Sequence, residues 1–86
     1  MITPEFVSEE RGEFIFVSNH SLSSDEHVSR SIEYNRARIL NARAHLPAHL
    51  SRCRLFYDVR GQNVTEDILG RLSTGLSDLC AVEIKR

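Results

Sequence analysis

Asp58-Val59-Arg60-Gly61-Gln62-Asn63 gathers an acid, a base and two amides around one glycine. The wider stretch "FYDVRGQNVTEDIL" reads as a strand, a tight turn and a helix start. Such a corner can cradle a phosphate, because the first amides of a helix and its dipole favour an anion. Here Glu66 and Asp67 fall in the first helical turn and repel one, and the loop has a single glycine. A nucleotide-binding loop is therefore set aside. What remains is Asp58 and Arg60 on one strand face, with Gln62 just past its end. Ligands of parallel sheets gather at the carboxyl ends of the strands. The loop "SNHSLSS" leaves the carboxyl end of a strand at 13–18. If that strand and one at 53–59 are parallel neighbours, His20 lies near Arg60 and Gln62.

Two further sets of residues have chemistry to offer. Asp58 followed by Glu83-Ile84-Lys85 has the acid-then-ExK order of metal-dependent nucleases, whose carboxylates bind Mg²⁺. Glu83 and Lys85 share a strand face, as that chemistry requires. Against it, a helix separates Asp58 from Glu83, and the plainer reading is a solvated strand face. His45 and His49 flank Pro47 at a helix end, where the dipole favours a cation. RNA cleavage without metal needs a base for the 2′-OH, an acid for the leaving oxygen and cations around the phosphate. Histidines and arginines can supply all three. Serine hydrolase, dinucleotide and P-loop signatures are absent, and no Cys/His cluster has zinc-site spacing.

Charge is segregated along the chain although the total is −1. Residues 1–26 hold six acids against Arg11, a net −5. Residues 27–60 hold seven arginines against Glu33 and Asp58, a net +5, together with His27, His45 and His49. Arginine forks bind phosphate bidentately and stack on bases. The band fits an anionic partner, with Arg36, Arg43 and Arg54 as backbone contacts. The alternative is that these arginines pair with the acidic N-terminal segment across the fold.

The elements that must position these groups follow from periodicity. "EFVSEERGEFIFVSN" reads as a hairpin turning at Gly12. Its first strand is short and charged and suits an edge. Its second is apolar at Phe14, Ile15, Phe16 and Val17, which predicts cover on both faces. Ser23 with Glu26 three residues on forms a capping-box pattern. Val28, Ile32, Asn35, Ile39, Ala42 and Leu46 then make one stripe, predicting a helix over about 24–46 that Pro47 ends. Asn35 is polar on that core-facing stripe and needs hydrogen-bond partners if buried. In "RCRLFYDVR", Cys53, Leu55, Tyr57 and Val59 face one way and Arg54, Phe56, Asp58 and Arg60 the other. Thr65 caps a short helix ending near Gly75, and "CAVEIKR" is the last strand. Cys53 and Cys80 sit in strand-like runs outside any CxxC pair and read as buried free thiols.

The order β-β-α-β-α-β predicts an α/β domain over 1–86, with α+β as the alternative: a small mixed sheet of three to four strands packed by one long and one short helix. No apolar run approaches the roughly 20 residues of a membrane helix. The N-terminus lacks the basic start and apolar stretch of a signal peptide. The expectation is a soluble chain with no membrane partner, needing no metal and no cofactor.

The final third, "LFYDVRGQNVTEDILGRLSTGLSDLCAVEIKR", resembles the closing segment of many bacterial polymorphic toxins, including effector domains of contact-dependent growth-inhibition and Rhs-type proteins. There the string D-[VI]-R-G-Q-x-[VL] follows a strand, and a short helix and a final strand come after it. Asp58, Val59, Arg60, Gly61, Gln62 and Val64 match that string, while residues 1–50 match no motif of the family. The resemblance implies the C-terminal toxin domain of a longer secreted protein, with Met1 marking where a detached piece begins. It implies a nuclease acting in the target-cell cytoplasm, often on tRNA, and a cognate immunity protein as partner. On that reading His20 or His45 is the general acid/base and Arg60 and Arg54 clamp phosphate. Asp58 and Gln62 orient, and Arg36 and Arg43 contact the RNA. The other expectations are a non-enzymatic binding module of immunity or inhibitor type, and a Mg-dependent nuclease using Asp58, Glu83 and Lys85.

Overall fold

The computed structural model describes residues 3–86; Met1, read above as the start of a detached piece, and Ile2 lie outside the described residues. The chain runs β1 (Phe6–Ser8), β2 (Glu13–Ser18), α1 (Asp25–His45), β3 (Arg52–Asp58), α2 (Glu66–Leu76) and β4 (Ala81–Lys85). The four strands form one sheet in the order β1-β2-β3-β4. β1 is antiparallel to β2, and β2, β3 and β4 are parallel. This is the expected mixed α/β sheet, and 13–18 and 53–59 are indeed parallel neighbours.

Each helix connects two adjacent parallel strands, and both crossovers advance the same way across the sheet. Crossovers share one hand, so both helices lie on the same face. The core sits between them and that face. Phe14 and Phe16 of β2, Leu55 and Tyr57 of β3, Val28, Ile39 and Ala42 of α1, and Leu69, Leu72 and Leu76 of α2 form one buried cluster. Each large side chain buried this way contributes about 1.5–3 kcal/mol relative to exposure.

Among the described residues the opposite sheet face is bare, which corrects the expectation that β2 is covered on both sides. Ile15 is half-buried and Val17 is 43 % exposed. A run of four apolar residues ordinarily marks a strand covered on both faces. Two helices are too few to cover both faces when the strand order makes them share one. The outer face carries Phe6, Ile15, Val17 and Phe56, with Arg54, Asp58, Glu83 and Lys85 around them.

Local signals set the helix ends. Ser24, not Ser23, caps α1, accepting the amide of His27 at 3.2 Å. Asp25 and Glu26 follow in the first turn, where the dipole favours them. The helix stops at a C-cap on Leu46, because the residue before Pro47 is driven out of the α region. Thr65 caps α2 through the Ile68 amide.

Cys53 and Cys80 form a disulfide, which corrects the reading as free thiols. Arg54 pairs with Ala81, so the two cysteines sit side by side at the amino ends of β3 and β4, with Cα atoms 4.9 Å apart. A separation of 27 residues conceals that adjacency in the sequence.

Candidate functional site

The carboxyl ends of β2 and β3 lie level, with Ser18 opposite Tyr57. Above them α1 presents Ser31, Asn35 and Arg38, spaced four and three residues apart and therefore on one helical stripe. This stripe puts polar groups where a core helix ordinarily carries aliphatic ones, and each needs a partner. They find one another. The Asn35 side-chain amide, fully buried, donates to the Tyr57 hydroxyl at 2.7 Å and to Ser18 Oγ at 3.3 Å. Ser31 Oγ lies 2.8 Å from the Tyr57 hydroxyl and 2.9 Å from His20 Nδ1. Ser18 Oγ lies 3.0 Å from the same nitrogen. Burial pushes the Tyr57 hydroxyl above its ordinary pKa, so it stays protonated as a network member.

Arg38 closes the network from the far side. It is only 7 % exposed, donates to Asn35 Oδ1 at 2.9 Å, to the Val17 carbonyl at 3.3 Å and to Glu5 Oε1 at 2.7 Å. Its guanidinium lies over the rings of Phe16 and Tyr34. Glu5 Oε2 in turn accepts the Val17 amide at 3.1 Å. The acidic N-terminal segment thus compensates a buried cation that the core holds. Arg38 Nε has no partner among the described residues, a cost within the network.

His20 is the member that reaches water. Its ring packs edge-on against Tyr34 at 5.0 Å, and burial, then the Arg38 charge, holds its pKa below the ordinary histidine value. Nδ1 is committed to the two serines, whereas Nε2 has no partner among the described residues and is not among the buried orphan atoms.

Gln62 reaches His20 through the backbone. Its amide donates to the His20 carbonyl and accepts from the Leu22 amide, both at 2.9 Å. The two loops so joined border a cleft of about 540 Å³ lined by Asn19, Ser21, Leu22, Ser23, Gln62 and Asn63. The His20 ring turns from this cleft toward α1.

Arg60 is not brought to the His20 ring. It forms a two-pronged ion pair with Asp58, at 3.0 and 2.7 Å, and its backbone amide also bonds Asp58. The Arg60 hydrogen bonds, helped by the Arg60 and Lys85 charges, hold the Asp58 carboxyl down at about 2. This pair belongs to the bare sheet face, because Asp58 alternates with the buried Tyr57 and Val59.

The remaining expected residues are dispersed. His45 sits exposed at the opposite end of α1, its Nδ1 against the Asn41 carbonyl. A helix of 21 residues is about 30 Å long, so His20 and His45 cannot act on one phosphate. Arg36 binds Asp78 and the Gly75 carbonyl, and Arg43 binds the Ser51 and Leu79 carbonyls. Arg54 pairs with Glu83 at 2.7 Å and Glu13 at 3.5 Å. Much of the basic band is therefore spent inside the fold, and Arg38, Arg54 and His49 pair with the N-terminal acids Glu5, Glu13 and Glu9. Asp58, Glu83 and Lys85 share the bare face, but arginines hold both carboxylates, and no group of three metal-ligating side chains occurs among the described residues.

Sequence reasoning singled out His20, Gln62 and the buried Asn35 but missed Ser18, Ser31 and Tyr57. The available signal was Ser31, Asn35 and Arg38 on one stripe. Among the described residues no helix is long and apolar enough to cross a membrane. Comparison with protein families, curated proteins and solved structures finds no match to this chain.

Proposed function

We propose that the chain is a toxin-type ribonuclease domain that cleaves tRNA or other structured RNA by general acid/base chemistry. The observation that carries this reading is His20: a network of hydroxyls and one amide holds one ring nitrogen, and the other is open to water at the carboxyl edge of the parallel strands. A base must be unprotonated to act, and the lowered pKa of His20 keeps it neutral near pH 7. In the base form the ring proton sits on Nδ1 and is donated to Ser18 or Ser31, whose hydroxyls can accept it. Nε2 then takes the 2′-OH proton, the 2′-oxygen attacks phosphorus, and the 5′-oxygen leaves with a proton from solvent. Arg60, exposed past the end of β3 and paired with Asp58 away from the His20 ring, contacts the RNA backbone at a neighbouring phosphate rather than the one attacked. Support also comes from the resemblance of residues 55–86 to the closing segment of polymorphic toxins. On the same reading the domain is delivered from a larger secreted protein, acts in the target-cell cytoplasm and is neutralised by an immunity protein. A disulfide suits passage through oxidising surroundings.

The test is purified protein with total tRNA in EDTA, beside His20→Gln checked for folding by circular dichroism. Cleavage by the wild type and a loss of about 100-fold or more in a folded His20→Gln variant is the expected result. Cleavage only with Mg²⁺ would move the chemistry to the carboxylates. No cleavage in either condition would favour a second reading, a non-enzymatic binding module. One observation favours that reading: the bare sheet face exposes Phe6 at 57 % and Val17 at 43 %.

A further inference from the structure

At the amino edge of the sheet, opposite the His20 end, a groove of about 450 Å³ has both cysteines of the disulfide in its wall. Each cysteine retains a few per cent of its surface. Three guanidinium-bearing residues, Arg43, Arg52 and Arg54, line the same groove, with Glu13 and Asp78 as the acids. The acids are compensated elsewhere: Glu13 pairs with Arg54, which also holds Glu83, and Asp78 pairs with Arg36. Among the described residues Arg43 hydrogen-bonds only carbonyl oxygens, those of Ser51 and Leu79 beside the two cysteines. Arg52 is exposed, and its side chain makes no ion pair among the described residues. The two cysteines, buried but for that margin, therefore border a groove whose uncompensated charge is positive.

We propose that this groove is a modification site at which a small anionic thiol, one bearing carboxylate or sulfonate, reduces Cys53–Cys80. The reagent's thiolate attacks one sulfur, forming a mixed disulfide and releasing the other cysteine as thiolate. A second equivalent attacks the mixed disulfide, leaving two cysteine thiols and the oxidised reagent. The guanidinium groups raise the local concentration of the anion and stabilise the departing cysteine thiolate. Reduction unties β4, a five-residue edge strand whose other strand neighbour is solvent, from β3. The proposal does not depend on the ribonuclease reading, since it concerns the other end of the sheet.

The experiment measures reduction of the folded, oxidised protein by mercaptoethanesulfonate, 2-mercaptoethanol and cysteamine, trapping thiols by alkylation for mass spectrometry. Rate constants are corrected for each reagent's thiolate fraction. At about 10 mM ionic strength the sulfonate should react roughly ten-fold faster than cysteamine, with the ratio collapsing near 0.5 M salt. Arg52→Gln should shrink the ratio and Arg52→Glu should invert it, with circular dichroism unchanged. Equal rate constants for the three thiols would overturn the proposal. So would a rate independent of thiol concentration, because reduction would then occur only after unfolding.

Discussion

Gln62 holds the loop after β2 by the backbone of His20: its Nε2 donates to the His20 carbonyl at 2.9 Å while its Oε1 accepts the Leu22 amide at 2.9 Å. One side chain from the turn after β3 thus satisfies a donor and an acceptor of a loop about 40 residues away in sequence. Gln62→Ala should lower stability by about 1–2 kcal/mol, and Gln62→Glu by more, because a carboxylate cannot donate and would oppose the His20 carbonyl. Urea denaturation of the three proteins checks this; an equal or smaller loss in Gln62→Glu would contradict the donor assignment.

Asn35 carries more than its own bonds. It is fully buried, and its removal leaves Tyr57, Ser18 and Arg38 each short of a partner. Asn35→Ala should cost about 3 kcal/mol or more, whereas Tyr57→Phe, which deletes one hydroxyl and keeps the ring, should cost about 1–2 kcal/mol. The reverse ranking in denaturation would mean that the network is not centred on the amide.

Acid should act through His20. Its folded-state pKa is lowered, so the unfolded chain binds the proton first and stability falls as pH drops through about 6.5. Between about pH 7.5 and 5.5 the wild type should lose more stability than His20→Gln. Parallel losses in the two proteins would refute this. Asp58 should titrate separately, near 2 by carboxyl NMR, and return toward 3.8 in Arg60→Gln because the largest cause of the shift is then gone.

The disulfide closes a segment containing α2. Cys53→Ser with Cys80→Ser should remove about 3–4 kcal/mol by the loop-entropy estimate, a drop of roughly 15–25 °C in Tm for a domain of this size. Calorimetry of oxidised and double-serine proteins measures it, and a shift of only a few degrees would show that packing alone holds β4.

The two turn glycines should respond differently to alanine. Both have positive φ, 64° at Gly12 and 83° at Gly61. A Cβ at Gly12 would meet the His49 carbonyl oxygen at 2.7 Å, while at Gly61 it meets nothing within 4 Å. Gly61→Ala should cost about 1 kcal/mol from backbone conformation, and Gly12→Ala about 2 kcal/mol or more because the 47–50 turn must also shift. Equal costs would remove the steric share.

What the residues settle alone is local. Apolar period marks α1 from Val28 to Ala42 and the alternation of Cys53, Leu55, Tyr57 and Val59, because helix and strand expose fixed faces to a core. Thr65 and Pro47 mark helix ends through capping and sterics that reach only a few residues, whereas the α1 cap falls on Ser24, one residue past the Ser23 of the capping-box pattern. From these the β-β-α-β-α-β order and its mixed sheet can be read. The nearness of Gln62 to His20 is also legible, from parallel pairing of the two strands, but tertiary structure alone decided the other distant pairings: Cys53 with Cys80, Arg38 with Glu5, and the serines that hold the His20 ring. It also decided that one sheet face stays bare. Periodicity records which way a side chain points along its own element. Which partner stands opposite depends on strand order and crossover hand, and a single sequence carries no local mark of either.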